Sequence, residues 1–269
     1  VDGAAVCITG STDGIGRAAA LRLASEGVGL VLHGRDGERL DALLRELDAV
    51  AGRGRLLPVV ADFRSLEAVG EMADTILSSN VRLGALINNA GVYMPRRVLT
   101  GEGFETTFAV NYLAHVHLTL LLEAHLVAAG ARIVNVSSVD HHSADFDPGN
   151  MQGERHYSGY GAYAFSKLCN IMFTMEHASM LAGTKATANA LDPGVLATKL
   201  LHAGWSLAGQ APAAGGDALC HLALSPEFEG VSGRYFEDGR PVSCSPAALD
   251  PLLRRQLWES TMEMLGRKK

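Results

Sequence analysis

Cysteine is scarce in this chain: Cys7, Cys169, Cys220 and Cys244 are the only four in 269 residues, far apart and without a Cys-x-x-Cys spacing. That speaks against a zinc ribbon or a disulfide framework and fits a reducing compartment, the cytoplasm among them. Positive charge is also in short supply, with 23 Lys+Arg against 29 Asp+Glu and a formal net charge of −6. Nonspecific nucleic-acid binding rests on neutralising phosphates, so no nucleic-acid partner is expected. No run approaches about 18 consecutive apolar residues, and no membrane span is expected. The chain opens at Val1, almost on its first strand and without a methionine, which leaves an upstream leader or anchor open. There is no Gly-x-Ser-x-Gly elbow, which removes the usual α/β-hydrolase nucleophile. Internal repeats and linkers rich in Pro, Gly or Ser are missing too, so residues 1–269 read as a single domain.

What remains is an ordinary globular composition, 48% apolar and 19% charged. Short β-branched runs at 5–9, 29–33, 56–60, 85–88 and 132–136 alternate with helical stretches near 15–26, 38–51, 65–79, 103–129, 160–182, 213–224 and 247–265. A weaker sixth strand is expected at 187–191 and a seventh at 233–236. Near-continuous apolar runs are what strands covered on both faces of a parallel sheet require. The alternation therefore predicts an α/β, doubly wound parallel sheet of about seven strands with helices on both faces. Two stretches break the rhythm, 140–160 and an Ala/Gly-rich segment near 200–216, and both are expected to carry function.

The first strand runs into Thr9-Gly10-Ser11-Thr12-Asp13-Gly14-Ile15-Gly16. Glycines at this spacing let the backbone turn and approach a pyrophosphate, which the following helix N-terminus favours with free N–H groups and a positive dipole end. The pattern is GxxxGxG rather than GxGxxG, and a plain Gly-rich turn is the alternative. The second strand ends His33-Gly34-Arg35-Asp36. Gly34 stands where an acid would hold the 2′-hydroxyl of NAD, and Arg35 beside it suits the 2′-phosphate of NADP; Asp36 as a ribose ligand is the counter-reading. Tyr163 and Lys167 sit four residues apart on one helix face. A cation about 4 Å from a phenol, at an effective dielectric near 20, is worth about 4 kcal/mol, roughly three pKa units toward ionisation. Asn88-Asn89-Ala90-Gly91 and Ser137-Ser138 close the fourth and fifth strands, at the edge where ligands of such sheets bind. His115 with His117, and His141 with His142, lack the spacing of a metal site, and no metal is expected.

Taken in order, these motifs resemble the short-chain dehydrogenase/reductase family over essentially the whole chain: Thr9 to Gly16, Asp62-Phe63, Asn88 to Gly91, Asn111, Ser138, Tyr163 to Lys167, and Asp192-Pro193-Gly194-Val195 with Thr198. Val136 to Val139 followed by His141-His142, the long insert before Tyr163, and Glu229 to Phe236 are similar to its retinol-dehydrogenase-like branch. The resemblance implies a Rossmann-type fold and a catalytic tetrad of Asn111, Ser138, Tyr163 and Lys167. Ser138 would hold the substrate oxygen, Tyr163 exchange its proton, Lys167 lower the Tyr163 pKa and hold the nicotinamide ribose, and Asn111 support a water leading to Lys167. It places Asp62 and Phe63 near the adenine, Asn89, Ala90 and Gly91 along the nucleotide, and Pro193, Gly194, Val195 and Thr198 at the nicotinamide end. Asp13 stands where NADP-preferring members carry a basic residue, which shifts the phosphate recognition onto Arg35. The implied reaction is hydride transfer between NADP(H), favoured over NAD(H), and a lipophilic alcohol or carbonyl compound walled by Val92, Tyr93, Met94, Phe146, Tyr157 and Trp205. A homodimer or homotetramer is the implied assembly. A nonenzymatic NADP(H) sensor and an NAD-dependent epimerase or dehydratase are the rival functions.

Overall fold

The structure is a computed structural model that describes residues 3–50, 55–205 and 208–267. Strands β1 (Ala5–Ile8), β2 (Leu30–Gly34), β3 (Leu56–Val60), β4 (Leu83–Asn88), β5 (Arg132–Val136), β6 (Thr187–Asp192), β7 (Tyr235–Glu237) and β8 (Arg240–Val242) form one sheet in the order β3-β2-β1-β4-β5-β6-β7-β8. All pairings are parallel except β7 with β8. Period-two alternation sorts the strand side chains between two layers. Val6, Ile8, Leu30, Leu32, Ala85 and Ile87 pack with helices α1 (Gly14–Ser25), α2 (Gly37–Val50) and α8 (Pro212–Leu224). Cys7, Val31, Leu86 and Ile133 face the other way, against α3 (Leu66–Ser78) and α5 (Ala114–Ala129). All four cysteines are free and buried.

Three departures from the sequence reading have physical causes. The sheet has eight strands because Asp238 (φ 49°) and Gly239 (φ 72°) make a tight turn that returns the chain as β8 beside β7. Asp-Gly with both residues at positive φ is the two-residue hairpin connection, so the signal was present. The single helix expected over 247–265 is two, α9 (Pro246–Leu249) and α10 (Pro251–Met264), because Pro251 starts a new helix capped by the Asp250 carboxylate on Leu252 and Leu253 N–H. The stretch 106–129 is long and apolar enough to cross a membrane by length and composition. It opens with the single turn α4 (Thr106–Phe108) and a π-helical turn over Ala109–Leu113, and leads into α5. Within the fold it is a core helix: Val110, Ala114, Leu118, Leu122 and Leu126 pack toward α3, and Phe108, Tyr112, Leu113 and Val116 toward α6 (Gly159–Met180). The last residue of the helix expected over 38–51 lies outside the described residues.

Because β1 and β4 are neighbours but the chain leaves β1 toward β2, the sheet has its switch point between them. The connections leaving their carboxyl ends diverge there, opening a crevice. Helices α1 and α8 pack so closely beneath it that a Cβ on Gly216 would sit 2.8 Å from Ala19 N and 2.9 Å from Ala18 Cβ. Overpacking of this kind costs about 1–3 kcal/mol, and each kcal/mol moves the melting point of a domain this size by about 2–4 °C. Gly216→Val is therefore expected to lower Tm by several degrees in a thermal melt; an unchanged Tm would show that the two helices can part freely.

Candidate active site

The switch point is held by one hydroxyl. Thr9 Oγ1 accepts the Asn89 N–H at 2.8 Å and the Ala90 N–H at 2.9 Å, and its own proton goes to His115 Nε2 at 2.9 Å, a better acceptor than Ile87 O at 3.4 Å. His115 is thereby fixed as the Nδ1–H tautomer, which donates to Asn111 O at 3.1 Å. Asn89 Nδ2 returns bonds to Thr9 O and Gly10 O, at 2.8 and 3.2 Å. Gly10, at φ +67°, leaves so little room that a Cβ would meet Ala90 Cα at 2.9 Å, and one on Gly16 would meet Gly10 O at 2.3 Å. The result is a tight cradle in which Ile15 and Gly16 N–H, at the start of α1, have no partner among the described residues. Free N–H groups on a helix N-terminus are what a pyrophosphate requires.

Beyond the cradle Arg35, Asp36, Arg39, Asp62 and Arg64 line the same cavity. Asp13 caps Gly14 N–H at 2.8 Å and is paired to Arg39 at 2.7 Å and Lys199 at 2.8 Å. Burial works to raise the Asp13 carboxyl, but hydrogen bonds from Lys199 and Arg39 hold it down at about 2. An acid in the phosphate loop is thus neutralised by two cations that sequence reasoning missed; the signal was an Arg one helical turn beyond Arg35. Gly34 has a packing reason beyond charge, since a Cβ there would lie 2.6 Å from Thr12 Cγ2. Asp62 is bound by Arg64 at 2.6 Å, and that hydrogen bond lowers its pKa.

Below this wall lies a buried stack. Phe63 lies against His33 with ring centroids 4.2 Å apart and meets His115 edge-on at 5.4 Å. His33 Nδ1 accepts Gly10 N–H at 3.0 Å, and its Nε2–H donates to Ala61 O at 2.9 Å. Both histidines therefore serve in their neutral forms, and burial pushes them down to about 4 for His33 and about 3 for His115.

On the other side of the cradle Ser138, Tyr163, Lys167, Pro193, Gly194, Val195 and Thr198 all line the cavity, whose volume is about 890 Å³. Ser138 follows β5 and caps a 3-10 turn over Val139–Ser143, and His141 Nδ1–H holds its carbonyl at 2.7 Å. Tyr163 and Lys167 project from one face of α6, and Lys167 Nζ donates to Val136 O at 2.9 Å, 5.4 Å from the Tyr163 ring centroid. Burial pushes Lys167 down to about 8, although Asp192 and Asp140 pull it up. Tyr163 moves opposite to the sequence expectation. Burial raises its pKa, Asp140 and Asp192 raise it further, and only a hydrogen bond with Ser138 lowers it. Burial of the phenol, with two carboxylates on the same wall, outweighs the Lys167 cation.

Three expected site residues stand behind the wall rather than on it. Ser11 is fully buried with its hydroxyl on His33 O at 3.0 Å, and Gly16 packs against Gly10. Asn111, in the π-helical turn, clamps Val92 by accepting its N–H at 2.8 Å and donating to its carbonyl at 3.1 Å, and also bonds Ser166 Oγ. Its side chain thus orders the segment after β4. The insert 140–160 contributes only Asp140 and Tyr160 to the cavity. Its remainder docks on 94–105 and on α6: Tyr157 OH donates to Met94 O at 2.8 Å, Gln152 Oε1 accepts Glu105 N–H at 2.9 Å, and Phe146 packs on Phe165 of α6. Phe146 and Tyr157 are therefore not wall residues. Val92, Met94 and Trp205 are, joined by Val98, Val110, Leu196, Leu200 and Leu201, the last two from α7 (Lys199–Gly204). Tyr93 backs the wall, 5.3 Å from Trp205. Two residues of the 200–216 segment, 206 and 207, lie outside the described residues.

The neutral histidines set an acid limit. The unfolded chain takes up a proton on each near pH 6.5, while the folded chain resists until about 4 for His33 and about 3 for His115. Their contribution is present above pH 6.5 and is lost as pH falls toward 3, on the order of 1 kcal/mol per pH unit for each. Urea unfolding at pH 7 and pH 5 is expected to show a drop that shrinks in His33→Gln and His115→Gln. Equal drops in all three proteins would contradict the neutral-tautomer assignment.

Comparison with known proteins agrees with this geometry. The family described as short chain dehydrogenase matches residues 4–206. Retinol dehydrogenase 14 of Homo sapiens is 36% identical over 292 aligned positions, covering 98% of this chain and 87% of the relative. Polyprenol dehydrogenase of Mus musculus is also 36% identical, covering 98% of this chain and 84% of the relative. Among solved structures, an uncharacterized protein from Mycobacterium paratuberculosis is 27% identical, with a TM-score of 0.79 over 98% of this chain and 93% of that one. A short chain dehydrogenase from Burkholderia cenocepacia, solved in complex with NADP, has a TM-score of 0.70 at 24% identity over 88% and 97% of the two chains. The chain belongs to the short-chain dehydrogenase family and, within it, is retinol-dehydrogenase-like.

Proposed function

We propose that this single domain is an NADP(H)-dependent oxidoreductase that interconverts a lipophilic alcohol and its aldehyde or ketone. One observation carries the reading: Ser138, Tyr163 and Lys167 open into the cavity that also contains the Gly-rich cradle and its flanking cations. The cradle fits a dinucleotide by its free N–H groups, and Gly10 and Gly16 permit the close backbone approach that builds it. A bound nicotinamide supplies or accepts the hydride. Tyr163, protonated and bonded to Ser138, is set as the proton donor to a carbonyl oxygen. Lys167, anchored on Val136, is placed to hold the ribose, and Pro193 to Val195 with Thr198 border the nicotinamide end. Asn111 acts from behind by fixing Val92. The apolar wall from Val92 to Trp205, and the names of the retinol and polyprenol dehydrogenases it is similar to, support a long apolar substrate. A sensor without catalysis would need none of the Tyr163–Ser138–Lys167 arrangement.

Tyr163→Phe removes the proton-transfer group at nearly constant shape, and turnover with an apolar aldehyde is expected to fall by about 10²–10⁴-fold while NADPH binding stays within a few-fold. Near-normal turnover would sink the proposed tetrad. For the cofactor, Arg35 lines the site without an ion-pair partner among the described residues, whereas Arg39 is held by Asp13. A charge-assisted hydrogen bond is worth about 1.5–3 kcal/mol before solvent screening. Arg35→Ala should therefore weaken NADPH by tenfold or somewhat more and leave NADH nearly unchanged in calorimetric titrations. Equal loss for both would return the ribose to Asp36. A Gly34→Asp change would alter packing as well as charge, because Thr12 occupies the space.

A further inference from the structure

Asp140 is a carboxylate that the mechanism above does not use, yet it lines the cavity and grips its central hydroxyl. Ser138 Oγ–H donates to Asp140 Oδ2 at 3.2 Å, while Asp140 N–H donates back to Ser138 Oγ at 3.2 Å. The other oxygen, Oδ1, accepts Tyr160 OH at 3.0 Å, and Tyr160 sits one turn before Tyr163 on α6. The carboxylate is thus tethered from both the 3-10 turn and the helix. The charged and titratable groups around Tyr163 are Lys167 and Tyr160 on α6, Asp140, His141 and His142 on the turn, Asp192 at the end of β6 with Glu237 beyond it, and Tyr93 after β4. Two carboxylates against one ammonium leave the immediate wall negative, and a phenolate is disfavoured there.

The geometry points to Asp140 as a positioning residue that fixes the Ser138 hydroxyl and keeps Tyr163 protonated, biasing the site toward carbonyl reduction. The inference rests on the oxidoreductase reading for its consequence, though not for its test. The sign follows directly. The acid form of Tyr163 exists below its pKa, so a carboxylate that raises the pKa extends reduction to higher pH and delays oxidation; removing the charge shifts both limits downward. A residue that merely caps the turn has no such effect on ionisation: Asp140→Asn loses the charge and keeps one of the two acceptor oxygens, and Asp140→Ala loses both acceptors.

The test compares wild type, Asp140→Asn and Asp140→Ala, the last keeping the backbone N–H on Ser138. Protein carrying 13Cζ-tyrosine is titrated by NMR up to pH 11, with the Tyr163 resonance assigned from Tyr163→Phe. The pH profiles of kcat/KM are measured in both directions with an apolar ketone and its alcohol. The expected result is about one pH unit of downward shift in Tyr163 ionisation, about tenfold more phenolate at a given alkaline pH, and a parallel shift in both profiles. The same Tyr163 midpoint in wild type and in whichever variants fold or, where Tyr163 stays un-ionised throughout, kcat/KM profiles that do not move, overturns the proposal. If wild type turns over no carbonyl substrate, that counts against the oxidoreductase reading, and the tyrosine titration still decides the role of Asp140.

Discussion

The carboxyl edge of this sheet depends on the bond-making capacity of the Thr9 hydroxyl. One oxygen accepts two backbone N–H groups from the segment after β4 and donates to a buried imidazole, so β1, β4 and the π-helical turn meet at a point. A hydroxyl offers one proton and two lone pairs, and here all three are used. The Gly10–Ala90 approach, the clamp of Asn111 on Val92 and the neutral stack of His33, Phe63 and His115 all hang from that junction. Losing it would leave several buried backbone groups unpaired, each costing about 1–3 kcal/mol. The edge is therefore rigid before any ligand arrives, as positioning of reacting groups demands.

Charge is distributed unevenly along the cavity. At the adenosine end Arg35, Arg39, Arg64 and Lys199 outnumber Asp13, Asp36 and Asp62, four cations to three carboxylates, and most are cross-paired. At the reactive end Asp140 and Asp192 outweigh Lys167. A polyanionic ligand is drawn to the first end, and a cationic ring would be stabilised at the second. The separation follows from topology: the segments after β1, β2 and β3 build the first end, which Lys199 reaches from α7, and those after β5 and β6 build the second.

Much of this was legible before any coordinates. The apolar runs set the parallel strands because covered strands tolerate little else, and Gly10, Gly14 and Gly16 marked the cradle because close backbone approach excludes a Cβ. The Tyr163–Lys167 pair was legible from helical periodicity. What the sequence concealed was interaction across elements. Nothing local to Tyr163 reveals its full burial, or Asp140 and Asp192, which reach it from a turn and from a strand end, and these together reverse the direction of its pKa shift. Histidines that looked like surplus metal ligands, His115 and His141, turned out to be neutral staples for Asn111 and Ser138. The 140–160 insert looked like a substrate wall, but its packing on 94–105 rests on contacts such as Tyr157 with Met94 that no spacing rule encodes.

The central claim is that the cradle and the Tyr163 end form one continuous site for transfer of a hydride to an apolar carbonyl. It is tested most directly by incubating the protein with NADPH bearing deuterium at C4 of the nicotinamide and an apolar aldehyde such as retinal, then weighing the alcohol by mass spectrometry. With each C4 epimer of the labelled cofactor tried in turn, the account predicts an alcohol heavier by one deuterium from one epimer and unlabelled alcohol from the other. Binding of the cofactor without label in the product from either epimer, across a panel of apolar aldehydes and ketones, would contradict it.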